Sequence, residues 1–346
     1  MASNSSQWRR ALSAILATAW LALVAAGSAT SAHAQSIAGT VLDEDSLTPV
    51  YGAVVALLDA DSARVRAVLT DADGTFELNG VAPDSYRLQA EMIGRQTVVA
   101  GPFTLGSNVD HRLLLPTRPI VLDGVEVSSD SRCSMDADAA RGAYLVWSEV
   151  EKALRATELT RTSSTRTFRV AEYERRLLKS TRVVMSEQVA FADVVGGQEP
   201  FGSLSPAEVE RSGYVLEDGD DLWIYGPNIE ILLSHEFQAT HCFALHRDRS
   251  RPGAIGLRFE PVEGRVVSDI AGTLWLDEES AELRTLEFAF GHLPRRLTPG
   301  EYTGAADFRR LEGGRWIVER WWLRAPDPDS PFHVREQAGE VVDIGG

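Results

Sequence analysis

Short runs in which apolar and polar residues alternate follow one another along the first third of the chain. They lie at residues 37–41, 52–58, 65–70, 75–78, 86–91 and 111–115, and turn-forming residues separate them. An alternation of period two is typical of strands that bury one face. The pattern therefore predicts an antiparallel β-sandwich over residues 36–115.

A helical pattern replaces the alternation in the middle of the chain. Apolar residues recur at steps of three and four between residues 136 and 157, namely Ala143, Val146, Trp147, Val150, Ala153 and Leu154. This spacing predicts a long helix that packs one stripe onto a sheet. A shorter helix is predicted over residues 205–212, with Ser205 as N-cap, Pro206 at the first position and Gly213 beyond the end.

Strand patterns return towards the C-terminus as two hairpins. Residues 269–276 and 283–290 form the first, and residues 305–311 and 315–323 form the second. In the last strand the alternation predicts two apolar faces, with Trp316, Val318 and Trp322 on one and Ile317, Trp321 and Leu323 on the other. Both faces then need cover, and a curved antiparallel sheet wrapped around the long helix would supply it on one side.

These patterns divide the chain into two domains. Residues 116–131 read as a linker, because they contain Pro116, Pro119 and a turn signal at Asp123 and Gly124. With 346 residues, 44% of them hydrophobic, the chain is long enough for two cores. The expected fold is mainly β, with a sandwich at residues 36–115 and a larger α+β domain at residues 132–346. That second domain would hold a curved antiparallel sheet and one long helix.

The charge of the chain excludes one class of partner. It carries 50 acidic and 34 basic residues, a formal net charge of −16. A polyanion repels the phosphate backbone of nucleic acids and anionic membrane surfaces. Nucleic acid is therefore not expected as a partner.

The first 34 residues have the composition of an export signal. Arg9 and Arg10 precede an apolar run at residues 11–26, and Ala32-His33-Ala34 follows it. This order is typical of a secretory signal peptide. The run is shorter than the roughly 20 residues that span a bilayer, so cleavage after Ala34 is expected, with no transmembrane segment left. The expected location is the periplasm or the cell exterior, with outer-membrane association as a further option.

Five motifs in the predicted sandwich form an ordered set. They are Gly-Thr-Val at residues 39–41, Pro-Val-Tyr-Gly-Ala at 49–53, Thr-Asp-Ala-Asp-Gly-Thr-Phe at 70–76, Gly-Val-Ala-Pro at 80–83 and Tyr-Arg-Leu at 86–88. This set resembles the carboxypeptidase regulatory-like family. The resemblance implies a transthyretin-like or carbohydrate-binding-like sandwich. Such modules commonly accompany peptidases or outer-membrane receptors and carry no catalytic residues of their own.

Three histidines, His235, His241 and His246, lie close enough in sequence to suggest a metal site. A zinc-protease helix places two histidines four residues apart, so that both face the metal. His235 and His241 are six residues apart, which on a strand separates them by about 20 Å. The spacing therefore predicts structural or surface histidines, and no metal or other cofactor is expected.

The acidic segment Asp71-Ala72-Asp73-Gly74 resembles the beginning of a calcium loop. An EF-hand loop needs a glutamate at its twelfth position, where this chain has Ala82. A tight hairpin turn with Gly74 at positive φ accounts for the same residues. The turn is therefore the preferred interpretation.

Other candidate catalytic groups also have plainer explanations. The acidic pairs Asp220-Asp221 and Glu278-Glu279 lie in turn-like segments, where solvated carboxylates are common. Cys242 and His241 are adjacent, so on a strand their side chains point to opposite faces. No catalytic constellation is found, and the chain is predicted not to be an enzyme.

Trp223 and Tyr225 share one face of a predicted strand, as the rings of sugar-stacking platforms do. Aromatic residues at period two are also common in cores, so both interpretations stay open. The sequence favours a non-enzymatic, exported envelope protein that acts through binding or scaffolding, with an envelope protein or a glycan as partner. A hydrolase that is metal-dependent or associated with a peptidase is one alternative. A carrier of hydrophobic ligands such as lipids or lipoproteins, which needs a hollow second domain, is another.

Cys133 and Cys242 are the only cysteines of the chain. Exported proteins meet an oxidising compartment, where one disulfide between them is favoured. The bond would tie the entrance of the long helix to a strand of the sheet, and closing a loop of about 110 residues would stabilise the fold by about 4–5 kcal/mol. The alternative is a free Cys133 with a buried, inert Cys242.

Overall fold

A computed structural model describes residues 35–105, 111–117, 137–219 and 221–345 of the chain. The predicted signal peptide, most of the predicted linker and Cys133 lie outside these residues, so these three predictions stay predictions. Within the described ranges, none of the helices combines the length and the apolar character needed to span a bilayer.

The N-terminal domain is a sandwich of two sheets, as predicted. Its strands are β1 (Gln35–Asp43), β2 (Val54–Leu58), β3 (Arg64–Leu69), β4 (Thr75–Val81), β5 (Ser85–Glu91), β6 (Val98–Thr104) and β7 (His111–Leu115). One sheet has the strand order β4-β1-β7 and the other the order β3-β2-β5-β6. Alternate side chains such as Val41, Leu57 and Leu88 are fully buried in the core between the sheets. The period-two pattern of the sequence follows from this one-sided burial.

The strand β6 is the one that the sequence pattern missed. It lies at the edge of the four-stranded sheet and contains Gly101 and Pro102. These two residues usually signal a turn, so they hide a strand from a pattern-based prediction. An edge strand tolerates proline because the missing N–H need not face a neighbouring strand.

The predicted turn at residues 71–74 is present, but the prediction that it joins the two strands of a hairpin is wrong. The turn joins β3 to β4, which belong to different sheets. The Asp71 carboxylate accepts hydrogen bonds from the backbone N–H groups of Asp73 and Thr75 and from the Thr75 hydroxyl. The hydroxyl bond is the main reason that the pKa of Asp71 lies below its ordinary value. Local sequence specifies the turn, whereas the sheet that the next strand joins depends on the whole domain.

The second domain is built on one antiparallel sheet of nine strands. Its strands are β8 (Thr167–Leu178), β9 (Val184–Val195), β12 (His241–His246), β13 (Ala254–Pro261), β14 (Asp269–Asp277), β15 (Leu283–Gly291), β16 (Thr303–Arg310), β17 (Trp316–Pro326) and β18 (His333–Ile344). The strand order is β12-β13-β14-β15-β16-β17-β18-β8-β9. The strands β10 (Val215–Asp218) and β11 (Asp221–Ile224) form a separate hairpin. Both predicted hairpins of the second domain are present, as β14-β15 and β16-β17.

Four helices accompany this sheet in the described part of the chain: α1 (Ala137–Ser163), α2 (Pro206–Ser212), α3 (Ile229–Leu233) and α4 (His235–Thr240). The whole apolar stripe predicted for the long helix is buried on α1. α1 contacts both β12 and β17, which lie five strands apart in the sheet. Trp147 of α1 packs on Phe243 of β12, with 4.8 Å between ring centres, and Thr160, nearer the end of the helix, accepts from the Trp316 N–H of β17. α1 therefore runs across the strands and covers one face of the antiparallel sheet.

The face assignment predicted for β17 is wrong beyond Val318, because the strand contains a β-bulge. Val318 pairs with Phe308, and Arg320 pairs with Asp307, so Glu319 is an extra residue. An extra residue reverses the alternation that follows it. Trp321 and Leu323 consequently lie with Trp316 and Val318 in the core beneath α1. Trp322 packs against the Arg324 guanidinium, whose central carbon lies 4.1 Å from the centre of the Trp322 ring.

The two domains pack against each other through α1 and the segment that follows β5. The backbone N–H of Gly94 donates to Glu149 Oε2 at 2.7 Å, and Lys152 Nζ donates to the Arg95 carbonyl at 2.7 Å. Lys152 also pairs with Glu149 at 2.5 Å, and both side chains are buried. Burial raises the pKa of Glu149 above its ordinary value, although Lys152 acts in the opposite direction. Glu149 and Lys152 thus each bond to the segment that follows β5, and so link α1 to the sandwich.

Glycine at two positions lets the domain backbones approach closely. A Cβ atom on Gly52 would lie 2.6 Å from the Gly314 Cα, and both residues have positive φ values of 75°. Side chains are disfavoured in this conformation, and here there is no space for one. Val54 of β2 extends the contact, because it belongs to the same core cluster as the α1 stripe.

Candidate functional site

A cleft of about 840 Å³ opens on the second domain. Its floor is formed by β8, β9, β17 and β18, and its walls by the β10-β11 hairpin and by segments 296–302 and 325–331. A volume of this size lies in the range that small-molecule and cofactor sites occupy. The cleft is therefore the candidate site.

Cross-strand pairing arranges the side chains of the floor in two rows. One row is Leu323, Gln337, Glu174 and Gln188, and the next is Ala325, Arg335, Arg176 and Ser186. Residues that pair directly across strands point to the same face of a sheet. Leu323 belongs to the large core, so both rows lie on the face that α1 packs on. Amide, carboxylate, guanidinium and hydroxyl groups thus line one continuous surface.

Trp223 lies on the wall formed by the β10-β11 hairpin. Its neighbours Leu222 and Ile224 pack against the large core, and the strand alternation turns Trp223 the other way, 57% exposed. Tyr225 follows the end of β11, is half-buried, and donates its backbone N–H to the Tyr214 carbonyl at 2.9 Å. Of the two aromatic residues singled out in the sequence, Trp223 lines the cleft and Tyr225 does not.

The charged residues around the cleft balance one another. Five basic residues, Arg175, Arg176, Lys179, Arg296 and Arg335, and five acidic residues, Glu174, Asp221, Asp327, Asp329 and Glu336, line it. Arg176 Nε pairs with the buried Asp327 at 2.5 Å, and Arg175 pairs with the buried Glu336 at 3.2 Å. The cleft therefore offers many hydrogen-bonding groups with little net charge.

Lys179 and Tyr302 close one end of the cleft. Lys179 Nζ lies 2.9 Å from Glu301 Oε2 and 3.4 Å from the Tyr302 hydroxyl. Burial works against the charged form of Lys179, but its bonds to Glu301 and Tyr302 raise its pKa above the ordinary value. Burial also raises the pKa of the Tyr302 phenol. At neutral pH the pair is thus an ammonium beside a neutral hydroxyl.

The three histidines of the sequence do not converge. His235 is exposed at the beginning of α4, His241 is buried at the beginning of β12, and His246 lies beside the Trp275 ring, 5.5 Å between centres. Among the described residues there is no group of three or more His, Cys, Asp or Glu side chains that could hold a metal ion.

His241 belongs instead to a buried polar cluster that sequence reasoning missed. Its Nδ1 lies 3.0 Å from the Phe237 carbonyl and its Nε2 lies 3.2 Å from Asp269 Oδ1. Arg265 Nε donates to the other oxygen of Asp269, which is completely buried. Burial would raise the pKa of Asp269, but the bonds from His241 and Arg265 outweigh it and leave the pKa below its ordinary value. We call His241, Asp269 and Arg265 the buried cluster.

Of the acidic pairs singled out in the sequence, Asp221 lines the cleft wall. Asp220 lies outside the described residues, and Asp221 is exposed at the beginning of β11. Glu278 pairs with Arg247 at 2.7 Å, and Glu279 is exposed in the turn after β14. Glu278 and Glu279 thus lie in a turn, whereas Asp221 begins a strand.

The cysteine bridge remains a prediction, because Cys133 lies outside the described residues. Cys242 is half-buried on β12 and directly follows the buried His241 in the sequence. We expect thiol titration of the denatured, non-reduced protein to detect no free thiol, and peptide mapping to recover Cys133 linked to Cys242. Two titratable thiols per chain would rule the bridge out.

Comparison with known proteins identifies the first domain. The family model of the carboxypeptidase regulatory-like domain matches residues 36–115, which confirms the resemblance seen in the sequence. No curated protein matches the chain.

Two solved structures were found to be similar in part. A candidate carbohydrate-binding protein of Bacteroides uniformis is 10% identical over 67% of this chain and 92% of that protein, with a TM-score of 0.21. A 9R-lipoxygenase of Cyanothece is 12% identical over 90% of this chain and 42% of that protein, with a TM-score of 0.18. TM-scores this low do not indicate a shared fold.

Proposed function

We propose that the protein is an exported binding protein of the cell envelope, without catalytic activity, and that its cleft holds a neutral glycan. The observation that carries this proposal is the exposed Trp223 ring beside a floor of amide, carboxylate and guanidinium groups. The C–H face of a sugar ring packs well against a flat indole ring. Its hydroxyl groups both donate and accept hydrogen bonds, which suits a floor that offers both kinds of partner.

The charge balance favours a neutral ligand. The basic groups of the cleft are engaged by carboxylates, as in Arg176 with Asp327 and Arg175 with Glu336. An anionic ligand would have to break these pairs and approach a chain with a net charge of −16. A neutral, hydroxyl-rich ligand can bond to the same groups without displacing them.

The alternatives left open by the sequence find less support. A metal-dependent hydrolase would use His235, His241 or His246, and the two ring nitrogens of His241 already lie within bonding distance of the Phe237 carbonyl and Asp269. A carrier of hydrophobic ligands would need an apolar hollow, whereas the buried stripe of α1 fills the core on its face of the sheet and the cleft floor on that face is largely polar. Export and envelope location rest on the N-terminal 34 residues, whose cleavage can be read from the N-terminus of the purified protein.

Replacing the indole ring is expected to weaken glycan binding. We expect Trp223→Ala to raise the Kd for the best-bound oligosaccharide about tenfold, because stacking contributes about 1–1.5 kcal/mol. Isothermal titration with soluble cello-, malto- and chitin-oligosaccharides measures the change.

Tyr144→Ala is the matched control for this experiment, because Tyr144 is an aromatic residue on α1 that is 70% exposed and does not line the cleft. It should leave the Kd unchanged. Equal affinities for the wild type and Trp223→Ala, or equal losses in both variants, would contradict a role for the cleft.

A further inference from the structure

The nine-stranded sheet ends in an unusually open edge strand. β9 is twelve residues long, and its first eight residues are all exposed, so neither face is covered there. Within the described ranges no strand pairs with its outer edge. Natural proteins usually protect such an edge with charged side chains, proline, a bulge, a short strand or a covering element. β9 contains no proline, its bulge lies near its first residues, and its two charged residues, Glu187 and Asp193, each have an arginine beside them on β8.

Exposed apolar side chains lie along one face of β9. Val189, Phe191 and Val195 are 45%, 59% and 62% exposed, and each pairs with a residue of β8 on the face opposite the cleft floor. Met185, beside the bulge between β8 and β9, is also exposed. A long edge that combines free backbone groups with apolar side chains is a surface for strand addition.

We propose that β9 pairs with β9 of a second copy of this chain, antiparallel and about a two-fold axis at Ala190. This arrangement places Val189 opposite the partner's Phe191, and Phe191 opposite the partner's Val189. Moving the axis by one residue, to Val189 or Phe191, sets apolar side chains against Glu187 or Asp193. On the face opposite the cleft floor, the axis at Ala190 is therefore the register of these three that sets no apolar side chain against an acidic one.

The acidic residues of β9 tolerate this register. Glu187 meets the partner's Asp193, a contact that would be unfavourable between isolated carboxylates. Each acid has an arginine beside it on β8, however. Glu187 pairs with Arg175 at 2.6 Å, and Asp193 stands opposite Arg169 in the strand register.

A second copy fits better than an open-ended assembly. The opposite edge of the sheet is β12, which has only six residues, none of them exposed. Head-to-tail pairing of β9 with β12 is thus disfavoured, and pairing of β9 with itself closes after two copies. Over the nine residues from Ser186 to Val194 it would form about eight hydrogen bonds, a number within the range of stable interfaces.

The pairing would also bring the two clefts together. Ser186 and Gln188 of β9 belong to the cleft floor, so the floors of the two copies would continue across the two-fold axis. This consequence rests on the proposed function, whereas the dimer does not. The dimer is therefore tested without any glycan.

Sedimentation equilibrium of the purified protein should give twice the mass of one chain. A Phe191→Lys variant should raise the dimer dissociation constant at least about tenfold, because two lysines would meet the apolar edge. Val266→Lys, at a loop position that is 87% exposed, should leave it unchanged. A monomer at concentrations up to about 100 µM, or the same dissociation constant for wild type and Phe191→Lys, would overturn the proposal.

A cysteine cross-link tests the register without destabilising the fold. Residues opposite each other across antiparallel strands have Cα atoms about 4.5–5.5 Å apart, within the range of a disulfide. Oxidised Ala190→Cys should therefore run as a covalent dimer on a non-reducing gel, and Val266→Cys should run as a monomer. Equal cross-linking of the two variants would overturn the axis at Ala190.

Discussion

Glu149→Ala is expected to lower the free energy of unfolding by about 3–5 kcal/mol. The substitution leaves the Lys152 ammonium buried between the domains without its counter-ion, 2.5 Å away in the wild type. It also removes the acceptor of the Gly94 N–H. A buried charge that loses its partner is among the costliest local changes in a folded protein. Urea unfolding monitored by circular dichroism measures the loss.

Two controls separate the charge from the packing. Glu149→Gln keeps an oxygen for Gly94 and Lys152 and should cost about 1–2 kcal/mol, the cost typical of weakening a charged hydrogen bond. The double variant Glu149→Leu/Lys152→Met replaces the pair by apolar groups and should come within about 1 kcal/mol of the wild type or exceed it. If Glu149→Ala costs no more than the double variant, the unpaired Lys152 ammonium is not the source of the loss.

Asp269→Ala is expected to have an effect of similar size, about 3–5 kcal/mol, within the second domain. Asp269 is completely buried and accepts from the Ile270 N–H at 2.8 Å as well as from His241 and Arg265. The substitution leaves the Arg265 guanidinium, which is only 10% exposed, without its carboxylate partner. Thermal and urea unfolding of the variant report this cost.

Tyr214→Phe is the matched control for the buried cluster. The Tyr214 ring is fully buried, its hydroxyl has no hydrogen-bond partner in the described structure, and burial raises the pKa of the phenol well above its ordinary value. Removing an unsatisfied hydroxyl should change the stability by less than about 1 kcal/mol. A loss as large as that of Asp269→Ala would show that the region is sensitive to any substitution.

The buried cluster also predicts a pH dependence. The pKa of Asp269 is lower in the folded chain than in the unfolded chain. Its ionised form therefore stabilises the folded state fully at pH values above the unfolded pKa of about 3.9. This stabilisation is lost as the pH falls through the pKa that Asp269 has in the folded chain. The stability difference between the wild type and Asp269→Asn should therefore shrink below about pH 4. A difference that is constant or grows under acid would contradict the assignment of a paired carboxylate.

The sequence predicted those parts of the fold that depend on local pattern. The stripe from Ala143 to Leu154 marks the buried side of α1, and the Ser205-Pro206 start of α2 and both C-terminal hairpins are where the pattern put them. These features follow from side-chain periodicity and from backbone preferences within a few residues. Local regularity was sufficient for them.

The features that were missed depend on contacts between distant residues. The bulge at Glu319 is visible only when β16 and β17 are paired, and it alone decides the faces of Trp321 and Trp322. Gln188 and Gln337 are far apart in the chain, and both lie opposite Glu174 on the cleft floor only because of the strand register. The sequence left open whether Trp223 is a ligand-stacking ring or a core ring. The packing of its neighbours Leu222 and Ile224 against the large core, which leaves Trp223 exposed, decides between the two.

The central claim is that the cleft of the second domain binds a neutral glycan. A crystal structure of the protein with the best-bound oligosaccharide tests it most directly. We expect a sugar ring stacked on Trp223, with hydroxyl groups bonded to Gln188, Glu174 and Gln337 on the cleft floor. An oligosaccharide bound elsewhere, with the cleft empty, would contradict this account.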